Sequence, residues 1–85
     1  MSIEGSNHIA AYKGYEIQAA PYQLADSGKW EVNLYIFHDR GDEVRSRGFS
    51  SANSFKAQDK AIAVCFYAGK QIIDGKIENC TVKGL

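Results

Sequence analysis

Two arginines and two aromatic residues carry the most specific chemistry of this 85-residue sequence. Arg45 and Arg47 alternate within VRSRGF, and Tyr35 and Phe37 alternate at the end of KWEVNLYIF, residues 29–37. Paired guanidiniums beside aromatic rings can bind phosphates or stack on nucleic-acid bases. The same side chains are enriched in the centres of protein–protein interfaces. The spacing therefore predicts an interaction surface, if both pairs lie on one face of a sheet.

A structural role is the alternative for the same residues. Tyr35 beside Arg45 would form a cross-strand cation–π pair, and Arg47 would approach Glu31 diagonally across the strands. Protein binding is favoured over nucleic-acid binding, because the Glu31 carboxylate would repel phosphate. The candidate interaction face consists of Tyr35, Phe37, Arg45, Arg47, Asn33 and Glu31.

The remaining reactive side chains do not form a catalytic or metal-binding pattern. His8 falls near the N-terminus, His38 falls at a hairpin end, and Cys65 lies on an apolar stripe, where a free thiol behaves as a small hydrophobic group. The sequence has no Cys-x-x-Cys motif, no closely spaced histidine pair and no glycine-rich phosphate loop. We therefore expect a non-enzymatic protein that needs no cofactor and no metal ion.

Charge and cysteine usage bear on the partner and the compartment. Ten basic and ten acidic residues cancel, whereas nucleic-acid-binding modules usually carry a net basic charge. The balance favours a protein partner or a second copy of the chain. Two isolated cysteines do not form a secreted disulfide framework, and neither a signal peptide nor an apolar segment of about 20 residues is visible. The sequence thus predicts a cytoplasmic protein that does not enter a membrane.

Two strands are predicted from the alternation of apolar and polar residues. Residues 15–19 alternate regularly, as half-buried strands do, and so does the first part of residues 29–37. Tyr35 and Phe37 break this second alternation, because they place large rings on the polar side. Some other element or partner is therefore expected to cover that side.

Pro21 interrupts the first strand, since it cannot donate a sheet hydrogen bond. It therefore indicates either an edge strand or a bulge, and a one-residue bulge near residues 20–21 is the hypothesis for the change of parity that follows it. The bulge would bring Tyr22 onto the same apolar face as Ile17.

A third strand follows the turn sequence HDRGDE, and side-chain parity predicts its register. A two-residue loop would place the arginines of this strand on the buried face. A three-residue loop at residues 39–41 instead pairs Ile36 with Val44 and sets Arg45 beside Tyr35. We expect the three-residue loop, because it keeps the charged groups exposed.

The segment at residues 55–75 has a helical period. Ser54 is expected to cap the helix, and Gly75 is expected to end it in the left-handed conformation. Gly69 costs about 1 kcal/mol relative to alanine in a helix, so it indicates a close approach to the sheet. The apolar stripe consists of Ala61, Ile62, Cys65, Phe66, Gly69, Ile72 and Ile73. The opposite, solvent-exposed side carries Lys56, Asp59, Lys60 and Lys70.

Together these elements predict an α+β fold: a three-stranded antiparallel meander, one C-terminal helix packed on one face, and a short C-terminal tail. Residues 1–11 are expected to form a flexible arm, and residues 12–85 a single β-β-β-α domain. One helix covers only one face of such a sheet. The tail could fold over the second face, or that face could bind a protein partner or form a homodimer; both alternatives remain open.

Three segments carry a family resemblance: YKGYEI at residues 12–17, GKWEVNLYI at residues 28–36, and GKQIIDG at residues 69–75. In these the chain resembles small bacterial proteins of uncharacterised function. It is also similar, more distantly, to a family named after a transcriptional activator of haemolysin expression. The likeness covers most of residues 12–75 and implies the fold rather than any catalytic residue.

The main hypothesis is a non-enzymatic protein-binding or regulatory module that uses the helix-free sheet face. The alternative is a transcription-associated nucleic-acid-binding protein that uses Arg45 and Arg47.

Overall fold

A computed structural model describes residues 8–85, which form an antiparallel sheet and one helix. The elements are β1 (Ile9–Tyr12), β2 (Tyr15–Ala19), β3 (Tyr22–Gln23), β4 (Trp30–Asp39), β5 (Val44–Phe55) and α1 (Gln58–Ile73). The predicted α+β class is confirmed, but the sheet has five strands instead of three. Residues 9–11, expected in the flexible arm, form most of β1 because they pair with β2. The first seven residues of the predicted arm lie outside the described part of the chain.

The central strand of the sheet is β4. Its two halves pair along one side with β2 and β3, and its other side pairs with β5. Ile17 pairs with Ile36, and Tyr22, five residues later, pairs with Glu31, five residues earlier on β4. Both pairs therefore belong to one continuous antiparallel register. The bulge expected at the intervening proline is therefore absent, because pairing resumes in the same frame on both sides of it. As a result, Tyr22 lies on the opposite face from Ile17.

The predicted register of the β4–β5 hairpin is wrong. A four-residue loop, residues 40–43, joins the two strands, and Ile36 pairs with Arg47 instead of Val44. Arg45 and Arg47 therefore project on the same side of the sheet as Ile36, the side that carries the helix. That side accepts the two charged groups because the C-terminal tail supplies carbonyl acceptors there, and side-chain parity within the hairpin gives no sign of the tail.

The helix packs as its apolar stripe predicts, but it begins later than expected. It starts after Ala57, which makes no side-chain capping hydrogen bond, and the predicted cap Ser54 belongs to β5. Gly75 follows the helix with φ +74°, the left-handed conformation predicted for it. A Cβ at Gly69 would lie 2.8 Å from the Ile17 side chain, so the expected close approach is confirmed. No helix in residues 8–85 is long and apolar enough to span a bilayer.

The core lies between α1, the sheet and the C-terminal tail, residues 76–85. The buried apolar residues are Ile17, Ala19, Val32, Leu34, Ile36, Ala61, Cys65, Ile72 and Leu85. Partly buried tail residues pack against them: Ile77, Cys80 and Val82. The tail therefore lies on the helix side, and the alternative that it folds over Tyr35 and Phe37 is wrong.

Candidate functional site

The surface opposite α1, here named the sheet face, is not covered by any part of the described chain. Its side chains share the strand parity opposite to Ile17 and Ile36. They include Ile9, Glu16, Gln18, Tyr22, Glu31, Asn33, Tyr35, Phe37, Asp39 and Val44. Four of them are large hydrophobic side chains with high exposure: Ile9 (47%), Tyr22 (47%), Tyr35 (40%) and Val44 (63%). Apolar area of this kind, concentrated on one face, is typical of an interaction surface.

The structure divides the six residues predicted for the interaction face. Four of them, Tyr35, Phe37, Asn33 and Glu31, lie on the sheet face, and the ring centroids of Tyr35 and Phe37 are 6.5 Å apart. Arg45 and Arg47 do not join them, because the hairpin register turns both toward the helix side. The use of this face for interaction stays a prediction.

A glycine supports the central ring of the sheet face. Tyr35 pairs with Gly48 on β5, and a Cβ at Gly48 would lie 3.0 Å from the Tyr35 ring. The ring therefore lies across the glycine and fills the space where a side chain would stand. Gly48 thus gives the Tyr35 ring room to lie over β5 while its outer surface stays exposed.

A depression of about 360 Å³ lies at the hairpin end of the sheet face. It is lined by Ala11, Gly14, Tyr15, Glu16, Phe37, Asp39 and Val44. Continuing the β2–β4 register by two residues places Gly14 opposite Asp39. Because Gly14 has no side chain, and nothing lies within 4 Å of the position where its Cβ would stand, the depression stays open there.

The sheet face is acidic. Glu16, Glu31 and Asp39 contribute three carboxylates, and none of the strand residues on this face is a lysine or an arginine. Tyr22 donates to the Glu31 carboxylate at 2.6 Å, and the backbone N–H of Gly41 donates to Asp39 at 2.9 Å. The two ion pairs within residues 8–85 lie elsewhere, so no lysine or arginine of this part of the chain pairs with these carboxylates.

The two arginines hold the C-terminal tail. Arg47 Nη1 donates to the carbonyl oxygens of Thr81, at 2.8 Å, and of Lys83, at 3.0 Å. Arg45 Nη1 donates to the Gly84 carbonyl at 3.0 Å. These charge-assisted hydrogen bonds use donors that a phosphate would otherwise accept from. The main role of the arginines in this conformation is therefore structural.

His38 adds a third link between the hairpin and the tail. Its Nδ1 donates to the Leu85 carbonyl at 2.8 Å, and its ring lies 4.8 Å from the Tyr15 ring. Leu85 is buried in the core beneath these contacts. The hairpin end of the sheet is thus closed on its helix side by the tail.

The outer surface of α1 forms a second exposed region, here named the helix stripe. It consists of Lys60, Ala63, Tyr67 and Lys70, which fall on one side of α1 at helical spacing, and of Lys56, which lies just before the helix; the exposed Asp59 lies beside it in the first turn. Tyr67 is 66% exposed, and the three lysines are exposed as well. A tyrosine among lysines can contact a phosphate backbone and stack on bases.

Asp74 would add negative charge next to the helix stripe, but it is paired. Lys13 Nζ lies 2.7 Å from its carboxylate, and the Tyr12 hydroxyl donates to it at 2.8 Å. The hydrogen bond from Lys13, followed by that from Tyr12, lowers the pKa of Asp74 below its ordinary value. The carboxylate in turn raises the pKa of both Lys13 and Tyr12. This cluster joins β1 to the end of α1.

The cysteines and possible metal ligands do not form a reactive centre in residues 8–85. Cys65 is buried, its thiol donates to the Asn33 carbonyl at 3.3 Å, and burial raises its pKa. A raised pKa keeps a thiol protonated and unreactive. No group of three or more metal-ligating side chains converges within this part of the chain. The expectation of a non-enzymatic protein stays a prediction.

Sequence reasoning missed two features of these surfaces. Tyr22 was placed on the apolar face because a bulge was expected at the proline, whereas an unbroken β2–β3 frame would have placed it beside Glu31. The helix stripe was visible as lysines on the polar side of the helix. Tyr67 belongs to it because it lies seven residues after Lys60, which is two helical turns.

Comparison with known proteins gives one result for this chain. A family model described as transcriptional activator HlyU matches residues 3–79, which include every strand and the helix. No curated protein and no solved structure matches.

Proposed function

The chain belongs to the transcriptional activator HlyU family, and on this premise we propose that it acts in transcription by binding nucleic acid through the helix stripe. One observation carries the proposal. Lys60 and Lys70 flank the exposed Tyr67 on the outer side of α1, and Lys56 lies just before the helix; of the two carboxylates near this surface, Asp59 is exposed in the first turn and Asp74 is paired with Lys13.

The dimensions of the helix stripe suit a nucleic-acid duplex. Lys70 follows Lys60 by ten positions, which is about 15 Å along the helix axis at 1.5 Å per residue. That distance corresponds to roughly four base pairs of B-form DNA. A single α-helix fits the major groove, which is about 12 Å wide. Ala63, between the lysines, allows the helix backbone to approach closely.

Charge segregation supports this choice of surface. The zero net charge of the whole chain argued against nucleic-acid binding, but the charges are unevenly distributed. The sheet face carries three carboxylates and no lysine or arginine in its strands, whereas the helix side carries the three stripe lysines, Arg45 and Arg47, which outnumber the carboxylates of Asp59 and Asp74 there. A duplex that approaches the helix side therefore meets a local positive field.

The arginines play a different part from the one in the alternative hypothesis. They lie on the same side of the sheet as α1, but each already donates to carbonyl oxygens of the tail. We therefore assign the phosphate contacts to the lysines and the positioning of the tail to the arginines.

The test uses a triple variant, Lys56→Gln, Lys60→Gln and Lys70→Gln, and fluorescence anisotropy with a labelled DNA duplex. We expect the unchanged protein to bind the duplex at about 50 mM salt. The slope of the logarithm of the association constant against the logarithm of the salt concentration should be smaller in the variant by about 2 to 3, because each lost phosphate contact reduces it by about 0.9.

The matched control changes three exposed lysines outside the stripe: Lys29→Gln, Lys76→Gln and Lys83→Gln. It alters the net charge equally, so it should leave the salt slope near that of the unchanged protein. Absence of DNA binding at about 50 mM salt, or equal losses in the two triple variants, would contradict the proposal.

A second function, protein binding through the sheet face, is favoured by the exposed rings of Tyr35 and Tyr22. In a symmetric dimer through this face, the three carboxylates of one copy would face the three carboxylates of the other. The repulsion between them disfavours a second copy as the partner. We therefore expect a monomer in sedimentation velocity at high protein concentration. A dimer that the double variant Tyr35→Ser and Phe37→Ser disrupts would instead identify the second copy as the occupant.

A further inference from the structure

We infer that the sheet face binds a basic, extended segment of a partner protein and receives one of its arginine or lysine side chains in the depression beside Phe37. The inference rests on the second function proposed above, protein binding through this face. It adds the chemical class of the partner and the position of its anchoring side chain.

The depression has the groups that a long cationic side chain requires. Glu16 and Phe37 are direct cross-strand partners, and Asp39 follows two residues after Phe37 on the same side of β4. A cation between the two carboxylates would pair with both and lie beside the Phe37 ring, which attracts positive charge. The volume, about 360 Å³, is at the lower end of the range for ligand pockets.

No cation of the described chain occupies this place. Both ion pairs in residues 8–85, Lys13 with Asp74 and Arg45 with Glu43, lie outside the depression. Glu16 is exposed and makes no ion pair or side-chain hydrogen bond within those residues. An external cation is thus the group that complements the site.

A third carboxylate defines the length of the bound segment. Glu31 and Asp39 lie on the same face of β4, eight residues apart, which is about 26 Å along a strand. An extended peptide of roughly eight or nine residues with a cation near each end would contact both. Tyr35, midway between them, would contact apolar side chains in the middle of the peptide. The same charges repel nucleic acid and a second sheet face.

The test selects ligands from a display library of random nonapeptides on the intact protein. We expect enriched peptides to contain arginine or lysine next to apolar residues, and to shift the backbone amide resonances of Glu16 and Phe37. Replacing the anchoring arginine of a selected peptide by citrulline, which keeps its shape and removes its charge, should weaken binding about tenfold.

Matched protein variants locate the anchor. The pair Glu16→Gln and Asp39→Asn should also weaken binding about tenfold, and citrulline should then cost little in that background. The control pair, Asp26→Asn and Glu78→Gln, removes two exposed carboxylates elsewhere and should change affinity less than twofold. Circular dichroism verifies that every variant is folded.

Two results would overturn the inference, and only the second would also refute protein binding through the sheet face. Enriched peptides without arginine or lysine that still shift the amides of Tyr35 and Phe37 would refute a basic partner and leave protein binding in place. Failure of every selected peptide to shift any sheet-face amide would refute both.

Discussion

Leu34 and Tyr35 are neighbours in β4, yet Leu34 is 1% exposed and Tyr35 is 40% exposed. Their exposure differs because successive side chains of a strand point to opposite sides of the sheet. On the helix side, α1 and the tail cover the apolar residues, and the polar groups find partners within the chain. On the sheet face, aromatic rings and carboxylates are not covered by any residue of the described chain. The helix side therefore holds the fold together, and residues 8–85 leave the sheet face uncovered.

The two sides also differ in charge, and on this difference we propose two distinct binding surfaces for a neutral chain. Three carboxylates lie on the sheet face, while the helix stripe and the hairpin arginines lie on the other side. The proposed sites for phosphate and for a basic segment thus lie on opposite sides of the domain.

The strongest test of this comparison replaces one residue on each side. Leu34→Ala should lower the free energy of unfolding by about 3 kcal/mol, because it removes buried methyl groups and leaves a cavity. Tyr35→Ala should cost about 1 kcal/mol or less, because part of the ring is already in water. Urea denaturation measures both values. Equal losses would show that the sheet face is a packing surface.

A smaller effect is expected where the tail is attached. Arg47→Ala should lower the free energy of unfolding by about 2 kcal/mol, because two tail carbonyls lose a charged donor. Amide exchange of Leu85, which donates to Val82, should accelerate. Arg40→Ala, in the exposed hairpin loop, is the matched control and should change stability by less than about 0.5 kcal/mol. Unchanged exchange of the tail in Arg47→Ala would contradict the assigned role.

Two glycines provide the next comparison. Gly69→Ala should destabilise by about 1 kcal/mol, because overpacking against Ile17 exceeds the gain in helix propensity. Gly48→Ala should change stability by less than about 0.5 kcal/mol, because the Tyr35 ring above it can move toward solvent. Thermal unfolding measures both. A larger loss for Gly48→Ala would mean that the sheet face is as rigid as the core.

The smallest effect concerns pH. The pKa of Asp74 is lowered in the folded state by Lys13 and Tyr12, so its contribution is present above the unfolded value, about 3.9, and is lost as pH falls through the lower folded value. Asp74→Asn should therefore reduce stability at pH 6 and become closer to the unchanged protein at about pH 2. A difference that grows on acidification would contradict this assignment.

Patterns among neighbouring residues were sufficient to predict which face of the sheet much of the candidate site occupies. The odd positions of Tyr35 and Phe37 placed them on the helix-free face, and Gly69 correctly indicated close packing against the sheet. Arg45 and Arg47 were misplaced, because their acceptors are tail carbonyls 34 to 39 residues away in the chain. No window of sequence around the hairpin contains that information.

The sequence by itself determined the helical stripe, the alternation of the strands and the left-handed turn at Gly75, since each follows from side-chain geometry over a few neighbouring residues. Only the tertiary structure decided the hairpin register, the position of the tail and the separation of charge between the two sides. Those features depend on contacts between distant segments, such as His38 with Leu85, and their energies appear only when the chain is folded.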